Sequence, residues 1–190
     1  MSSFYTEAEL MEMGFKYIGK NVKISRKTSI YDISNISVDD NTRIDDFALL
    51  SGHIKIGKHV HIAAYAALFA GKAGIEVEDF CGLSARCNVY AASDDYSGQA
   101  LTNPTVPEQY KLITSKKVIF KKHALIGAGC TVFPGVIVGE GASVGAMSLI
   151  TKDVNPWMMY VGVPAKELRP REKALLQLEE RLLEEEKNES

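Results

Sequence analysis

The chain has little of what marks several common classes of protein. Its 190 residues include three cysteines, one tryptophan and six prolines, and 22 Lys and Arg nearly balance 24 Asp and Glu. This balance of charge argues against a basic surface that would attract nucleic acids or anionic lipids, so we expect no nucleic-acid partner. No apolar run approaches the roughly 20 residues that span a membrane, and the polar N-terminus is unlike a secretory signal. We therefore expect a cytoplasmic protein without membrane insertion.

What the chain does have is an aliphatic residue at every sixth position, with a small residue four places later. A period of six fits neither an α-helix nor an isolated amphipathic strand. It predicts a short strand and a turn, repeated so that each unit buries its aliphatic residue only by stacking on copies of itself. The clearest run consists of Phe120, Ile126, Val132, Val138, Val144 and Ile150.

The first half of the chain carries the same signal in groups of three hexads. Three hexads make one triangular turn of a solenoid, so the groups predict four coils, and residues 120–155 add two more. Stacked coils pair along parallel ladders about 4.8 Å apart. We therefore predict a β-helix domain over residues 18–155. The groups begin at Ile18, Ile24 and Ile30; Val38, Ile44 and Leu50; Ile56, Ile62 and Leu68; and Val77, Leu83 and Val89.

The cysteines follow this repeat. Cys81, Cys87 and Cys130 all fall at the small, inward position of a hexad. A free cysteine there acts as a small apolar filler. An odd number at this spacing matches no disulfide or metal-ligand pattern, so we expect no metal site.

Two segments of the chain, one at the N-terminus and one in the middle of the repeat, lack the hexad pattern. Residues 1–17 are expected to form an N-terminal cap, with a helix over residues 6–14 opened by a capping box of Thr6 and Glu9. Residues 94–117 interrupt the hexads, and loops of this length are usually functional or disordered. The aromatic and apolar residues of this excursion loop favour a packed, functional loop.

A third segment, residues 156–190, follows the repeat. A charged helix is expected over residues 170–187, because Pro170 is favourable in a first helical turn. Its apolar stripe is expected to pack on the solenoid end or on a neighbouring subunit. The stripe consists of Leu175, Leu178, Leu182 and Leu183.

The hexads and two later segments resemble the left-handed β-helix acyltransferases of the hexapeptide-transferase family. Those segments are Ser148-Leu-Ile-Thr-Lys-Asp-Val and Gly162-Val-Pro-Ala-Lys-Glu-Leu-Arg, which look like that family's coenzyme A end. The resemblance covers almost the whole chain. It implies an all-β fold, a left-handed parallel β-helix with a short N-terminal helix, one long excursion loop and a C-terminal helix. It also implies a homotrimer, with an active site in each groove between neighbouring β-helices.

Within that family, shorter segments resemble the nucleotide-sugar N-acyltransferases of surface-polysaccharide pathways such as O-antigen synthesis. They include Asn41-Thr-Arg-Ile-Asp-Asp-Phe and Tyr90-Ala-Ala-Ser-Asp-Asp-Tyr-Ser-Gly. The likeness is to the anthrose-pathway type, which acylates the 4-amino group of a dTDP-4-amino-4,6-dideoxyglucose. The implied partner is a nucleotide-linked sugar.

The resemblance also implies where coenzyme A, the acyl donor, is bound. Small residues at the turns let its pantetheine arm lie against the backbone, and cations suit its phosphates. The matching positions are Ala128, Ala146, Thr151, Lys152 and Arg169.

The acceptor site departs from the pattern of the galactoside and maltose acetyltransferases, in which a histidine base follows the strand before the loop. Aligning the strand that contains Val89 places Asp94 at that position. A sugar hydroxyl needs a base with a pKa near the working pH. An amine with a pKa around 8 is partly neutral at pH 7 and attacks a thioester unaided. Asp94 therefore favours N-acylation, with its carboxylate orienting the amine and accepting its proton.

Four more residues are assigned to the acceptor. The resemblance places Ser84 beside the sugar, where its hydroxyl orients the sugar or the thioester carbonyl. His61 and Tyr65 lie one coil earlier and are expected to face the sugar. Asp95 is assigned to the substrate or, equally, to capping the loop, whereas Asp45 and Asp46 are interpreted as exposed corner residues.

The sequence thus predicts an acyl-CoA-dependent N-acyltransferase that acts on a nucleotide-linked amino-deoxy sugar by direct attack, without a covalent acyl-enzyme. One alternative is sugar O-acetylation, in which His61 or His123 would be the base. The other is a non-catalytic β-helix that binds a ligand or scaffolds a complex. The acyl chain, the nucleotide and the sugar are left open, as is whether the excursion loop closes over its own or a neighbouring subunit.

Overall fold

In the computed structural model, which describes residues 3–189, short strands alternate with tight corners along the whole repeat. The helices are α1 (Glu7–Glu12) and α2 (Leu175–Glu189), with 3-10 turns at Ile33–Asn35 and Glu108–Tyr110. The strands are β1 (Tyr17–Ile18), β2 (Lys23–Ile24), β3 (Ser29–Tyr31), β4 (Ile36–Val38), β5 (Arg43–Ile44), β6 (Leu49–Ile56), β7 (His61–Ile62), β8 (Ala67–Val77), β9 (Gly82–Leu83), β10 (Asn88–Tyr90), β11 (Ala92–Ser93), β12 (Thr114–Ser115), β13 (Val118–Phe120), β14 (Leu125–Ile126), β15 (Thr131–Val132), β16 (Ile137–Val138), β17 (Ser143–Val144), β18 (Leu149–Ile150), β19 (Met158–Val161) and β20 (Lys166–Pro170).

The strands stack into the three faces of a prism, and nearly all neighbours pair in parallel. Face 1 contains β1, β4, the second halves of β6 and β8, β13 and β16. Face 2 contains β2, β5, β7, β9, β14, β17 and β19. Face 3 contains β3, the first halves of β6 and β8, β10, β15 and β18. The predicted three-hexad coil is therefore confirmed.

The core is the stack of inward aliphatic residues that the repeat predicts. Leu83, Ile126 and Val132 have no exposed surface; Leu83 pairs with Ile126 of the next coil on face 2, and Val132 lies on face 3. All three cysteines are also buried and free, as their hexad position predicts. Because each coil buries its aliphatic residues only against the coils on either side, the stack stabilises the solenoid as a whole.

The corners from face 1 to face 2 and from face 2 to face 3 are four residues long, and the third residue usually adopts a left-handed conformation. At the corner from face 1 to face 2 these residues include His59, Phe80 and His123, with φ of 54°, 59° and 63°. Their rings form a column: His59 stacks on Phe80 at 4.7 Å, and Phe80 stacks on His123 at 5.2 Å. The aligned corners turn identical positions of successive coils into straight columns of side chains.

The N-terminal prediction is confirmed in its main feature. The Thr6 hydroxyl accepts the Glu9 N–H at 3.3 Å, and the Glu9 carboxylate accepts the Thr6 N–H at 2.8 Å, so the capping box forms. The helix itself spans Glu7–Glu12 and buries Leu10. A short cap thus closes the N-terminal end of the solenoid.

The excursion loop leaves the prism through a narrow base. Strands β11 and β12 pair antiparallel, Ala92 with Ser115 and Ser93 with Thr114, and so close the loop. Its tip keeps its large side chains in solvent, since Tyr96 is 91% exposed and Tyr110 is 55% exposed. These side chains are therefore not packed within the single chain, and their packing against a neighbouring copy stays a prediction.

The C-terminal helix begins later than the sequence predicts. Pro170 ends β20, which pairs antiparallel with β19, and α2 starts only at Leu175. The predicted helix start at Pro170 is thus wrong, because residues 166–170 form strand β20 and their backbone pairs with β19. The leucine stripe also packs less than expected, with Leu178 63% exposed. The buried contact of α2 is instead Glu179, whose Oε2 lies 2.8 Å from His123 Nε2.

Candidate active site

Ser84 opens the corner between faces 2 and 3, here called the 2–3 corner (residues 25–28, 45–48, 63–66, 84–87, 127–130 and 145–148). Its N–H donates to the Ile126 carbonyl of the next coil at 2.9 Å. The N–H of Ala63, in the preceding coil, donates to the Leu83 carbonyl. Ala63 and Gly127 therefore flank Ser84 in the adjacent coils. With no large side chain on either side, the half-buried hydroxyl is open to a ligand.

Above Ser84 the 2–3 corner forms a strip of small residues, Gly127–Ala128 in one coil and Gly145–Ala146 in the next. Ala128 and Ala146 are exposed. The two coils are in close contact: a Cβ on Gly127 would lie 2.5 Å from the Ala146 nitrogen. The strip therefore presents bare backbone along two coils, as a site for an extended arm such as pantetheine requires.

One coil below Ser84, strand β7 leads into this corner and carries a fixed imidazole. His61 Nε2 lies 2.8 Å from Asp45 Oδ2, while Arg43 Nε donates to Asp45 Oδ1 at 2.6 Å. Burial opposes ionisation of Asp45, but the bonds from His61 and Arg43 outweigh it and lower the pKa of its carboxyl. Asp45 is thus a positioning group for His61, and its interpretation as an exposed corner residue was wrong. The stacking register could have shown this, because Arg43 pairs directly with His61.

Tyr65 lies on this corner, four residues after His61, and is half-exposed. It stacks on Phe47 of the preceding coil, with 5.0 Å between ring centroids and 21° between planes. Both rings are at the left-handed corner position, with φ of 62° for Tyr65 and 61° for Phe47. Of the predicted sugar-facing pair, Tyr65 therefore lies on the same corner as Ser84, one coil away, and His61 lies on strand β7, which leads into that corner.

Asp94 lies at the other end of face 3, at the corner from face 3 to face 1, here called the 3–1 corner. It lines a cavity of about 290 Å³ formed by strand β10, the loop base and the next coil. Its carboxylate accepts the Asn103 N–H at 3.3 Å across the loop. The cavity residues are Tyr90, Ala92, Ser93, Asp94, Tyr96, Phe133 and Pro134.

Asp95 is engaged within its own loop. Its carboxylate accepts hydrogen bonds from the backbone N–H groups of Ser97 at 3.0 Å, Gln99 at 2.9 Å and Ala100 at 3.3 Å. The Ser97 hydroxyl donates to it as well, at 2.8 Å. These bonds, that from the Ser97 hydroxyl first, lower the pKa of the Asp95 carboxyl. Its contacts fit the loop-capping interpretation.

The remaining predicted coenzyme A contacts are exposed and lie apart from the small-residue strip. Thr151 and Lys152 follow β18 at the 3–1 corner, two coils beyond Asp94. Arg169 lies on β20, opposite Met159 at the end of face 2. The predicted cofactor residues therefore fall on different sides of one prism.

The same division holds for the predicted catalytic residues. Ser84 precedes β10 and Asp94 follows it, so the whole width of face 3 separates the two side chains. Within one chain the structure therefore places Ser84, Tyr65, Ala128 and Ala146 along the 2–3 corner, with His61 on the strand that leads into it. It places Asp94 with Thr151 and Lys152 at the 3–1 corner.

The other nucleophiles and imidazoles take structural positions. Burial raises the pKa of the Cys81 and Cys87 thiols to about 12. His123, the alternative base for O-acetylation, is 7% exposed and paired with Glu179. His59 lies at a corner while His61 lies on a strand, and no group of three His, Cys, Asp or Glu side chains within residues 3–189 could hold a metal ion.

Comparison with known proteins decides the family. The chain matches no protein-family model. It is 43% identical, over 93% of each chain, to an Escherichia coli dTDP-4-amino-4,6-dideoxy-D-glucose acyltransferase. Its structure matches that of AntD, a Bacillus cereus N-acyltransferase in complex with dTDP and 3-hydroxybutyryl-CoA, with a TM-score of 0.96, 49% identity, and coverage of 98% of this chain and 100% of AntD. The chain belongs to the family of left-handed β-helix nucleotide-sugar N-acyltransferases.

The AntD structures include variants of that protein at two informative positions. An S84A variant, in complex with dTDP-4-amino-4,6-dideoxyglucose and coenzyme A, matches with a TM-score of 0.96 and 49% identity over 97% of this chain and 100% of that one. A D94N variant matches with a TM-score of 0.95 at the same identity and coverage. Members of this family of N-acyltransferases use acyl-CoA as the acyl donor and a nucleotide-linked amino sugar as the acceptor. The alternative of a non-catalytic scaffold is therefore wrong, and the family is one of N-acylation rather than of sugar O-acetylation.

No helix within residues 3–189 is long and apolar enough to cross a membrane.

Proposed function

We propose that this N-acyltransferase acts on the 4-amino group of a dTDP-4-amino-4,6-dideoxyglucose, in the cytoplasm, during synthesis of a surface polysaccharide such as O-antigen or a related glycan. The supporting observation is Asp94, a carboxylate rather than an imidazole, beside the 290 Å³ cavity at the loop base. A neutral amine attacks without a base, and a carboxylate beside it orients the amine and accepts the proton that the amine releases once the C–N bond forms.

In the proposed reaction the neutral amine attacks the carbonyl carbon of the thioester. A C–N bond forms, the C–S bond breaks, and the electron pair of that bond leaves with the coenzyme A sulfur as the thiolate. The surplus amine proton passes to the Asp94 carboxylate and then to the thiolate, so the products are the amide and the free thiol. The Ser84 hydroxyl, open between Ala63 and Gly127, orients the acceptor or the carbonyl oxygen.

Binding of acyl-CoA is assigned to the exposed small residues and the cations near the C-terminal end. Ala128 and Ala146 offer backbone against which the pantetheine arm lies, and Thr151, Lys152 and Arg169 suit the phosphorylated adenosine end. On the acceptor side, His61 and Tyr65 face the sugar. Asp95 shapes the loop that carries Asp94.

These residues form one site only if a second copy contributes to it, so we propose a homotrimer. Face 3 separates the two halves of the site, and it carries exposed aromatic surface: Phe69 is 36% exposed and stacks on Tyr90 at 5.1 Å. Packing face 3 around a threefold axis sets the 2–3 corner of one copy beside the 3–1 corner of the next. Ser84 of one copy and Asp94 of its neighbour then face the same groove.

The first test is turnover of acyl-CoA with dTDP-4-amino-4,6-dideoxyglucose, followed by release of free thiol and by product mass. Asp94→Asn is expected to lower kcat/KM by about a hundredfold or more, the usual range for losing a general base. Glu12→Gln removes an exposed carboxylate at the end of α1, in the N-terminal cap, and serves as the control. Full activity in Asp94→Asn would exclude the proposed role of its carboxylate.

A second test addresses the shared site. Ser84→Ala and Asp94→Asn chains, each of low activity alone, are co-expressed with different affinity tags and purified as mixed trimers. If the site lies between copies, one of the three grooves in each mixed trimer contains both native residues, and activity returns. If each site lies within one chain, no groove contains both, and mixing restores nothing.

A further inference from the structure

A column of cationic and aromatic side chains runs along the 2–3 corner below and beside Ser84. Lys27, Phe47, Tyr65 and Arg86 occupy the third corner position of successive coils. Lys27 Nζ lies 5.3 Å from the Phe47 ring centroid, and Arg86 Cζ lies 6.0 Å from the Tyr65 centroid. The two rings stack on each other at 5.0 Å, so each cation covers one outer ring face. The column thus ends in a guanidinium at the coil of Ser84.

Arg86 differs from the other cations of this corner in its electrostatic surroundings. Lys27 Nζ lies 2.9 Å from Asp46, and Arg43 Nε lies 2.6 Å from Asp45. Among residues 3–189, Arg86 forms no ion pair, and it is exposed. Its contact with the Tyr65 ring restrains the guanidinium while leaving its N–H donors toward solvent. A restrained, unpaired guanidinium is suited to bidentate binding of a phosphate.

Arg86 is exposed where the column meets the next coil. The residue above it in the column is Gly129, which has no side chain of its own and is covered by the Met147 side chain, since a Cβ on Gly129 would lie 2.5 Å from the Met147 sulfur. Arg86 therefore stands between the aromatic rings on one side and the small-residue strip on the other. Arg86 is two residues after Ser84, so a phosphate bound to Arg86 would lie near the Ser84 hydroxyl.

We propose that Arg86 binds the diphosphate of the nucleotide sugar and thereby holds the sugar amine at Ser84. This inference rests on the proposed function. Both substrates carry a diphosphate, and the contact with Tyr65, a residue assigned to the sugar, favours the diphosphate of the acceptor for Arg86. Arg86 is a binding residue that sequence reasoning missed, because neither the hexad nor the family motif marks this position.

The test compares Arg86→Gln with Lys27→Gln, a matched control whose charge is engaged with Asp46. Binding of dTDP is measured by calorimetry, and KM is measured for each substrate. Arg86→Gln is expected to weaken dTDP binding and raise the KM of the nucleotide sugar roughly 10- to 100-fold, the range for charge-assisted phosphate bonds. The KM of acyl-CoA is expected to stay unchanged, as are both constants in Lys27→Gln.

Three outcomes would overturn the inference or its premise. Unchanged dTDP binding in a folded Arg86→Gln protein excludes the role, and a rise confined to the KM of acyl-CoA assigns Arg86 to the other diphosphate. Absence of dTDP binding in the unaltered protein contradicts the proposed function instead. Arg86→Lys keeps the charge without the paired donors, so it is expected to give an intermediate affinity. It also carries the test if the Gln variant does not fold.

Discussion

Gly127 connects the stability of the solenoid with the binding of acyl-CoA, because it lies where two coils of the small-residue strip touch. Replacing it with alanine adds a Cβ at 2.5 Å from the Ala146 nitrogen and 2.8 Å from Ala146 Cα and Gly145 C. Ordinary contacts begin at 3.4 Å, and all three atoms belong to the backbone. The coils must therefore separate by roughly 1 Å at this corner, beyond what packed interiors absorb without strain.

The expected cost follows from that separation. Overpacking of this kind costs about 1–3 kcal/mol. For a chain of this length each kcal/mol shifts Tm by about 2–4 °C, so Gly127→Ala should lower Tm by about 2–12 °C. Because the strip itself is displaced, the KM of acyl-CoA should rise while the KM of the nucleotide sugar changes less.

Thermal unfolding followed by Trp157 fluorescence measures the first effect, and initial rates measure the second. Gly82→Ala is the matched control, because its Cβ would meet only the flexible end of Leu125, at 3.1 Å. The reasoning is refuted if Gly127→Ala leaves both Tm and the KM of acyl-CoA unchanged. An equal loss in Gly82→Ala would refute the assignment of the effect to the backbone contact.

Three further predictions concern the scaffold. Phe120→Ala, at a core position with no exposed surface, should cost about 3–5 kcal/mol in thermal unfolding, and a loss under 1 kcal/mol would contradict the stacked core. Cys81 and Cys87, with thiol pKa values raised to about 12 by burial, should react with a thiol reagent only after unfolding; rapid labelling of the folded protein would contradict that burial. Burial opposes ionisation of Glu179, but Lys122 and His123 lower the pKa of its carboxyl overall. The ionised carboxylate therefore stabilises the docked α2 at any pH above the ordinary glutamate pKa, and this stabilisation is lost as the pH falls through the lowered pKa. The Tm difference between the unaltered protein and Glu179→Gln should therefore shrink in acid, and a pH-independent difference would exclude the ion pair as its cause.

Much of the fold could be predicted because it is local and repeated. One hexad specifies a strand, a corner and an inward residue, and stacking fixes the register between coils, as the pairing of Leu83 with Ile126 shows. The capping box of Thr6 and Glu9 was equally predictable, since both partners lie within one turn. Where the chain leaves the repeat, prediction failed. The pairing of β20 with β19 joins segments that have no hexad pattern, and it moved the start of α2 beyond Pro170.

The candidate site shows a different limit. The residues at each corner could be named from the repeat and the family resemblance, but a repeat fixes contacts within one chain only. It does not say which faces of two prisms meet, so the separation of Ser84 from Asp94 across face 3 became visible only in the structure. Asp45 and Arg86 were missed for a related reason. Their roles depend on side chains stacked in adjacent coils, His61 and Tyr65, rather than on neighbours in sequence.

The central claim is that the acceptor is an amine and that a carboxylate suffices to assist it. Two dTDP-linked 6-deoxyhexoses that differ only at C4, one with an amino group and one with a hydroxyl, test this directly. Thiol release from acyl-CoA and product mass are measured for both with the unaltered protein. The account predicts rapid acylation of the amino sugar and at most a trace with the hydroxyl sugar. Comparable rates, or acylation of the hydroxyl sugar alone, would contradict it.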